Sequence, residues 1–254
     1  MFIMPDEGDI KKLNEELQRD KTQLEQLNHF KTHLLALTSH QLKTPLGIIR
    51  GYTALLRDGS YGEMDERAKE VVAKIELAAE DLVNLVDNVI DLRKVEEGRI
   101  EYQMENIDFV KVARQAAEEL SHMATSKGLN LALEAPEKEI RVYGDEQKLR
   151  HVMQNLIDNA VKYTEKGFVR VTVEEKENDV VFSVTDSGIG IPAEAQPFLF
   201  EEFIRDERVK KEFRGSGLGL HIAKVFVEAH HGRVWVESEG EGKGSRFSIS
   251  IPKQ

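Results

Sequence analysis

Two long apolar patterns of helical period occupy the N-terminal part of the chain, with a single cluster of turn formers between them. Over residues 30–57, Leu34, Leu35, Leu42, Leu46, Ile49, Leu55 and Leu56 recur at helical spacing. From about residue 63 to 97, Val71, Val72, Ile75, Ala78, Ala79, Leu82, Leu85, Val86, Val89 and Ile90 do the same. Asp58-Gly59-Ser60-Tyr61-Gly62 separates the two, and Glu96-Glu97-Gly98 closes the second. This predicts a helical hairpin. Alone it buries one face, whereas a pair of hairpins forms a four-helix bundle, so homodimerisation is the economical way to cover it. Pro45 removes a backbone donor and predicts a bend near Gln41. Upstream, Ile10, Leu17 and Leu24 share one heptad position and Leu13, Leu27 and Leu34 the other, interrupted by Asp20 and Lys31. Residues 1–29 therefore read as a coiled-coil linker and 30–98 as the hairpin domain.

After Gly98 the pattern changes. Strand-like runs are expected at Ile100–Phe109, Leu129–Leu133, Ile140–Tyr143, Phe168–Glu174, Val180–Thr185, Arg233–Glu237 and Arg246–Ile251. Helices are expected over about 108–125, 145–163 and 217–230. Strands and helices do not alternate strictly, so residues 99–254 predict a two-layer sandwich and the whole chain an α+β protein. The boundary should fall near residues 97–102. With 35 Lys+Arg against 46 Asp+Glu among 254 residues, the net charge of −11 argues against nucleic acid as a partner. Cys is absent, which excludes disulfides and thiolate metal sites. No apolar run is long enough to insert in a membrane, and the N-terminus lacks the features of a secretory signal.

The common nucleotide and metal signatures, GxxxxGK[ST] and HExxH, do not occur. Two glycine clusters remain: Asp186-Ser187-Gly188-Ile189-Gly190 after a strand, and Gly215-Ser216-Gly217-Leu218-Gly219-Leu220 before a helix. Glycine lets backbone amides approach a ligand closely, and a helix N-terminus favours phosphate. Asp186, at a strand end, can accept from an exocyclic amine. Asn155 and Asn159 lie four apart on one helix face with Lys162 nearby. Asn is a poor interior helix residue, so the pair reads as a polar site for a metal and phosphates. His230-His231 before Gly232 reads as a structural or capping element at a helix end.

Five segments in order carry a resemblance: Ser39-His40-Gln41-Leu42-Lys43-Thr44-Pro45, Asn155–Tyr163, Asp186–Gly190, Phe200-Glu201-Glu202-Phe203-Ile204-Arg205 and Gly215–Leu220. Over about residues 30–252 the chain resembles the catalytic portion of a two-component sensor histidine kinase, with a GHKL-type ATP-binding domain. The resemblance implies autophosphorylation of His40 from ATP and transfer to an Asp of a response regulator receiver domain. It also implies a homodimer, a phosphatase activity toward that regulator and a cytoplasmic location, with a parent protein that can be membrane-anchored.

By the same resemblance, Asn159 would ligate Mg²⁺ with help from Asn155, and Lys162 and Tyr163 would approach the phosphates or ribose. Asp186 would bind the adenine amine, with Gly188 and Gly190 shaping the pocket floor. Gly215, Gly217, Leu218 and Gly219 belong to a lid segment over the triphosphate, anchored by Phe200 and Phe203, with Arg205 reaching the γ-phosphate. Gln41 departs from the acidic residue that many members carry after the phospho-acceptor. An amide accepts a hydrogen bond from imidazole but does not take its proton at neutral pH. Thr44 stands where the family orients water for dephosphorylation. The alternatives are therefore a phosphatase-biased enzyme and a catalytically silent nucleotide-binding scaffold.

Overall fold

The computed structural model describes residues 42, 44–201 and 217–253. The predicted coiled coil, the bend at Gln41 and the segment 202–216 lie outside the described residues. The chain divides into two compact units, Met1–Arg93 and Lys94–Gln254.

Residues 44–57 form helix α1 of the first unit, and Glu66–Glu96 form helix α2, which runs from the first unit to the start of the second. The turn between them runs through Gly59 and Gly62, both at positive φ, where a side chain would be strained. Asp65 Oδ1 accepts from the Ala68 amide at 2.7 Å and caps the entry to α2. Among the described residues of the hairpin, Leu46, Thr53, Val72, Ala79, Val86, Asn88 and Leu92 are buried. Ile48, Ile49, Tyr52, Leu55, Val71, Ile75, Leu82 and Leu85 are exposed within one chain. Both helices thus leave a large share of their apolar surface uncovered within one chain. Arg57 pairs with Glu76 at 3.0 Å near the turn, an exposed contact of little energetic weight.

The second unit orders as strand β1 (Glu105–Asp108), helix α3 (Phe109–Ser126), strands β2 (Asn130–Glu134) and β3 (Arg141–Gly144), and helix α4 (Glu146–Tyr163). Strands β4 (Phe168–Glu175) and β5 (Asp179–Asp186) follow, then helix α5 (Gly219–Ala229) and strands β6 (Arg233–Glu237) and β7 (Ser245–Pro252). The main sheet has the order β2-β4-β5-β7-β6, with β2 parallel to β4 and the other pairs antiparallel. A small antiparallel pair, β1-β3, forms a second sheet, joined to the end of β7 by a bridge between Val142 and Lys253. This is the layered α+β architecture expected from the sequence. Among the described residues no helix is long and apolar enough to cross a membrane.

The core lies between the helices and one face of the main sheet. Val169, Val171 and Val173 of β4 alternate inward, as do Val180, Phe182 and Val184 of β5 and Phe247, Ile249 and Ile251 of β7. Against them α4 sets Leu149, Val152, Met153, Leu156, Ile157, Ala160 and Val161, on a helix expected over about residues 145–163. Strand β1 is shorter than the expected run from Ile100. Residues 101–104 leave the ladder because Tyr102 packs edge-on against Phe226 and His230 and the Gln103 amide donates to Asp145 Oδ2 at 2.9 Å.

The histidine pair closes α5 as the sequence suggests. His231 is the one non-glycine residue at positive φ among the described residues, at 57°. Its amide donates to Glu228 O and that of Gly232 to Val227 O, both at 2.9 Å, which is a Schellman closure. His230 is 2% exposed. Its Nδ1 meets Phe226 O at 2.6 Å, so that nitrogen carries the proton, and Nε2 accepts from the Asp145 amide at 2.8 Å. Asp145 in turn caps α4 through the Lys148 amide at 3.0 Å. One neutral imidazole therefore joins the end of α5 to the start of α4.

Burial holds the His230 imidazole below the usual histidine range, against the Phe226 carbonyl and the Asp145 charge, which raise it; His231 adds to the lowering. A depressed histidine leaves stability intact above about pH 6.5 and loses it as the pH falls below that value, because only the unfolded chain then gains the proton. Comparing urea midpoints at about pH 7.5 and 5.5 should show a larger acid loss for wild type than for His230→Gln. Equal losses would remove His230 from the account.

Candidate active site

Helix α4 faces two ways. Its buried stripe lies on the sheet, and the remaining face carries Asn155 and Asn159. Asn159 Nδ2 donates to Asn155 Oδ1 at 3.1 Å. Asn155 also borders the first residue of α5, because a Cβ on Gly219 would collide with its amide group. Gly217, just upstream, sits at φ 73°. The asparagine pair and the N-terminus of α5 thus form one corner, as the glycine cluster predicts. Lys162 and Tyr163 follow in the last turn of α4, with the Lys162 ammonium 5.9 Å from the Tyr163 ring centre.

Beyond the C-terminal end of α4 lies the turn after β5. Asp186 is 6% exposed, and its carboxylate is already partly occupied. Oδ1 accepts from the Gly188 amide at 2.8 Å and Oδ2 from the Ser245 hydroxyl at 2.5 Å. Burial raises the Asp186 carboxyl above the ordinary aspartate value, opposed by the hydrogen bonds from Ser245 and Gly188. Each oxygen has capacity to accept once more, which suits an exocyclic amine. Gly188 has no room for a side chain: a Cβ there would strike Tyr163 O and lie 2.8 Å from Asp186 Oδ1 and 2.9 Å from Thr164 Oγ1. Gly190, at φ 70°, would drive a Cβ into Gly240 O.

Gly240 belongs to a loop that the sequence reading missed. The β6–β7 connection laces onto the glycine turn through Gly242 N to Ile189 O at 2.6 Å, Gly244 N to Gly188 O at 3.2 Å and Ile191 N to Ser238 Oγ at 2.9 Å. The alternating Gly240, Gly242 and Gly244 were the available signal. Ser245 gave no local signal, since only the register pairing Asp186 with Ser245 brings it to the carboxylate.

At the other edge, the Phe200 ring packs against Phe247 with centroids 6.3 Å apart, and Phe200 O meets His221 Nδ1 at 3.0 Å. This fixes the chain where the expected lid begins. Phe203, Arg205 and Gly215 lie outside the described residues, as do His40 and Gln41. Thr44 is exposed on α1 in the first unit. Among the described residues no cluster of three His, Asp or Glu could hold a metal. An ion here would instead draw on the amide oxygens of α4 and on the ligand itself. With its Nδ2 given to Asn155, Asn159 presents Oδ1, the hard neutral donor that Mg²⁺ accepts. The residues therefore fit a magnesium-bound nucleotide.

Residues 30–98 match the "His Kinase A (phospho-acceptor) domain", and residues 144–254 match the "Histidine kinase-, DNA gyrase B-, and HSP90-like ATPase". The chain belongs to the sensor histidine kinases. It is 34% identical over 231 residues to the circadian input-output histidine kinase CikA of Synechococcus elongatus, covering 89% of this chain and 30% of that protein. It is 30% identical to the sensor histidine kinase WalK of Bacillus subtilis, over 92% of this chain and 38% of that one. Among solved structures, full-length ShkA in complex with AMPPNP matches with a TM-score of 0.67 and 30% identity, over 87% of this chain and 46% of that one. The Acinetobacter baumannii histidine kinase AdeS matches with a TM-score of 0.58 and 25% identity, over 85% and 98%. The chain spans about a third of the length of the first curated relatives. The segment between the two matched spans holds β1, α3, β2 and most of β3, which pack into the same unit as the ATPase-like part.

Gly188→Ala tests the site directly. The added methyl would press on the Tyr163 carbonyl, the Asp186 carboxylate and the buried Thr164 hydroxyl, so ADP affinity should fall by about tenfold or more, read by titration calorimetry. Undiminished binding would separate the glycine turn from the nucleotide.

Proposed function

We propose that this chain autophosphorylates on His40 from ATP and passes the phosphoryl group to an aspartate of a response regulator receiver domain. The observation that carries the reading is the corner of Asn155, Asn159 and the α5 N-terminus, set beside the buried Asp186 carboxylate. Phosphates suit the first and adenine the second. CikA and WalK, two relatives of this chain, are histidine kinases, which supports the same reading.

Asp186 accepts from the adenine amine, and Gly188 and Gly190 keep the pocket floor low. Asn159, with Asn155, holds Mg²⁺, which neutralises charge on the phosphates when bound. Lys162 and Tyr163 approach the phosphates or ribose, and Gly215, Gly217, Leu218 and Gly219 flank the triphosphate, with Phe203 anchoring the segment and Arg205 on the γ-phosphate. An unprotonated nitrogen of His40 attacks the γ-phosphorus. The bond to the β,γ-bridging oxygen breaks, ADP leaves, and the proton on the other imidazole nitrogen is held by a neighbour or lost to water.

Dimerisation follows from the exposed hairpin stripe. Ile49, Leu55, Val71, Ile75, Leu82 and Leu85 are each about half exposed, so covering the remainder is worth on the order of 1 kcal/mol for each. A second hairpin supplies the complementary face. The domain limits proposed are 1–29, 30–98 and 99–254, and the location is the cytoplasm, where ATP and receiver domains are found.

Gln41 favours a second reading in which the balance leans toward phosphatase. It cannot remove the imidazole proton, whereas Thr44 can still orient a water against a phosphorylated regulator. Label from γ-labelled ATP should be acid-labile and base-stable in the wild type and absent from His40→Ala. Gln41→Glu should raise the autophosphorylation rate about tenfold or more. A chain that never takes up label sinks the kinase reading, and an unchanged rate in Gln41→Glu sinks the argument about the missing base.

A further inference from the structure

Helix α4 ends without closing on itself. Its cap residue Thr164 is extended, at φ −108° and ψ 118°, so the left-handed closure that serves α5 is not used here. Instead Lys127, which caps the end of α3, reaches across. Its Nζ donates to Val161 O at 2.8 Å, Lys162 O at 3.0 Å and Thr164 O at 3.4 Å. One ammonium thus spends its three donors on the end of a neighbouring helix, where a positive charge also meets the helix dipole favourably.

The other side of the same residues builds the nucleotide turn. Tyr163 O accepts from the Ile189 amide at 3.2 Å. Tyr163 O and the Thr164 hydroxyl, the latter on a residue with no exposed surface, close against Gly188. Residues 161–164 therefore stand between the Lys127 ammonium and the loop that aims Asp186. We propose that Lys127 is a positioning residue for the nucleotide: it fixes the end of α4 against which the Asp186–Gly190 turn is held. This rests on reading that turn as the adenine site. Lys127 touches no ligand itself and acts through Tyr163 and Thr164.

The charge is held at a cost. Burial pushes the Lys127 ammonium below the ordinary lysine value, while Asp158 on α4 and Glu165 just beyond it pull the other way. An arginine at this position would stay charged at any accessible pH.

ADP titrations of the complete chain test the assignment. Lys127→Met should weaken ADP binding about tenfold, and Lys127→Arg should recover most of the loss. Arg114→Met is the control, because Arg114 also lies on α3 and donates to a carbonyl, Pro136 O at 3.0 Å, in the β2–β3 connection. It should leave ADP binding unchanged. Raising the pH from about 8 to about 10 should weaken ADP binding more in wild type than in Lys127→Arg, because only the lysine gives up its proton. If Lys127→Met does not fold, this pH comparison decides alone. Wild-type affinity in a folded Lys127→Met, or parallel pH profiles for wild type and Lys127→Arg, would overturn the proposal. Failure of the wild type itself to bind ADP would instead overturn the adenine reading beneath it.

Discussion

The period of helix α4 is the constraint on which the rest of the second unit depends. Seven side chains from Leu149 to Val161 are buried against the sheet, and a helix that hides that stripe has no freedom to rotate. Asn155 and Asn159 are then held off the sheet, one turn apart and joined at 3.1 Å. Turning α4 to hide the asparagines would expose Met153, Leu156 and Ile157, none of which shows any accessible surface. Hydrophobic burial, which has no directional preference of its own, thus orients a polar site that depends on direction.

Both ends of this helix are secured by residues far away in the chain. At the start, Asp145 is tied to His230 and to the Gln103 amide. At the finish, Lys127 supplies the bonds that the local sequence lacks. The glycine turn after β5 is laced to the β6–β7 loop in the same manner. The site is therefore a meeting of separately anchored segments.

What was legible in the sequence follows from this. Patterns of period two and period 3.6 are local, and they marked the helices and the strands of the main sheet with only small errors at the ends. The asparagine pair and the Asp186 turn were readable because their spacing is set within one element. Ser245 and Lys127 were not, since each acts on a partner distant in sequence, 59 residues away for Ser245 and Asp186 and 34 for Lys127 and Val161. Tyr102 and Gln103 were read as strand because an alternating run looks the same whether or not a neighbour completes the ladder. His230 was rightly placed at a helix end, but its bond to Asp145 depends on tertiary packing.

The Asp186–Ser245 contact sits on the last rung of the β5–β7 pairing, and this carries a consequence for how the protein can vary. Deleting or inserting a single residue within either strand would turn its side chains to the opposite face. The carboxylate would then lose its hydroxyl partner and be offered the Arg246 guanidinium or nothing at all. Changes in chain length are tolerable at the tips, such as the stretch around Glu177, but not between Asp179 and Asp186. The spacing of a β-ladder, usually regarded as scaffolding, here also preserves the chemical identity of a binding pocket.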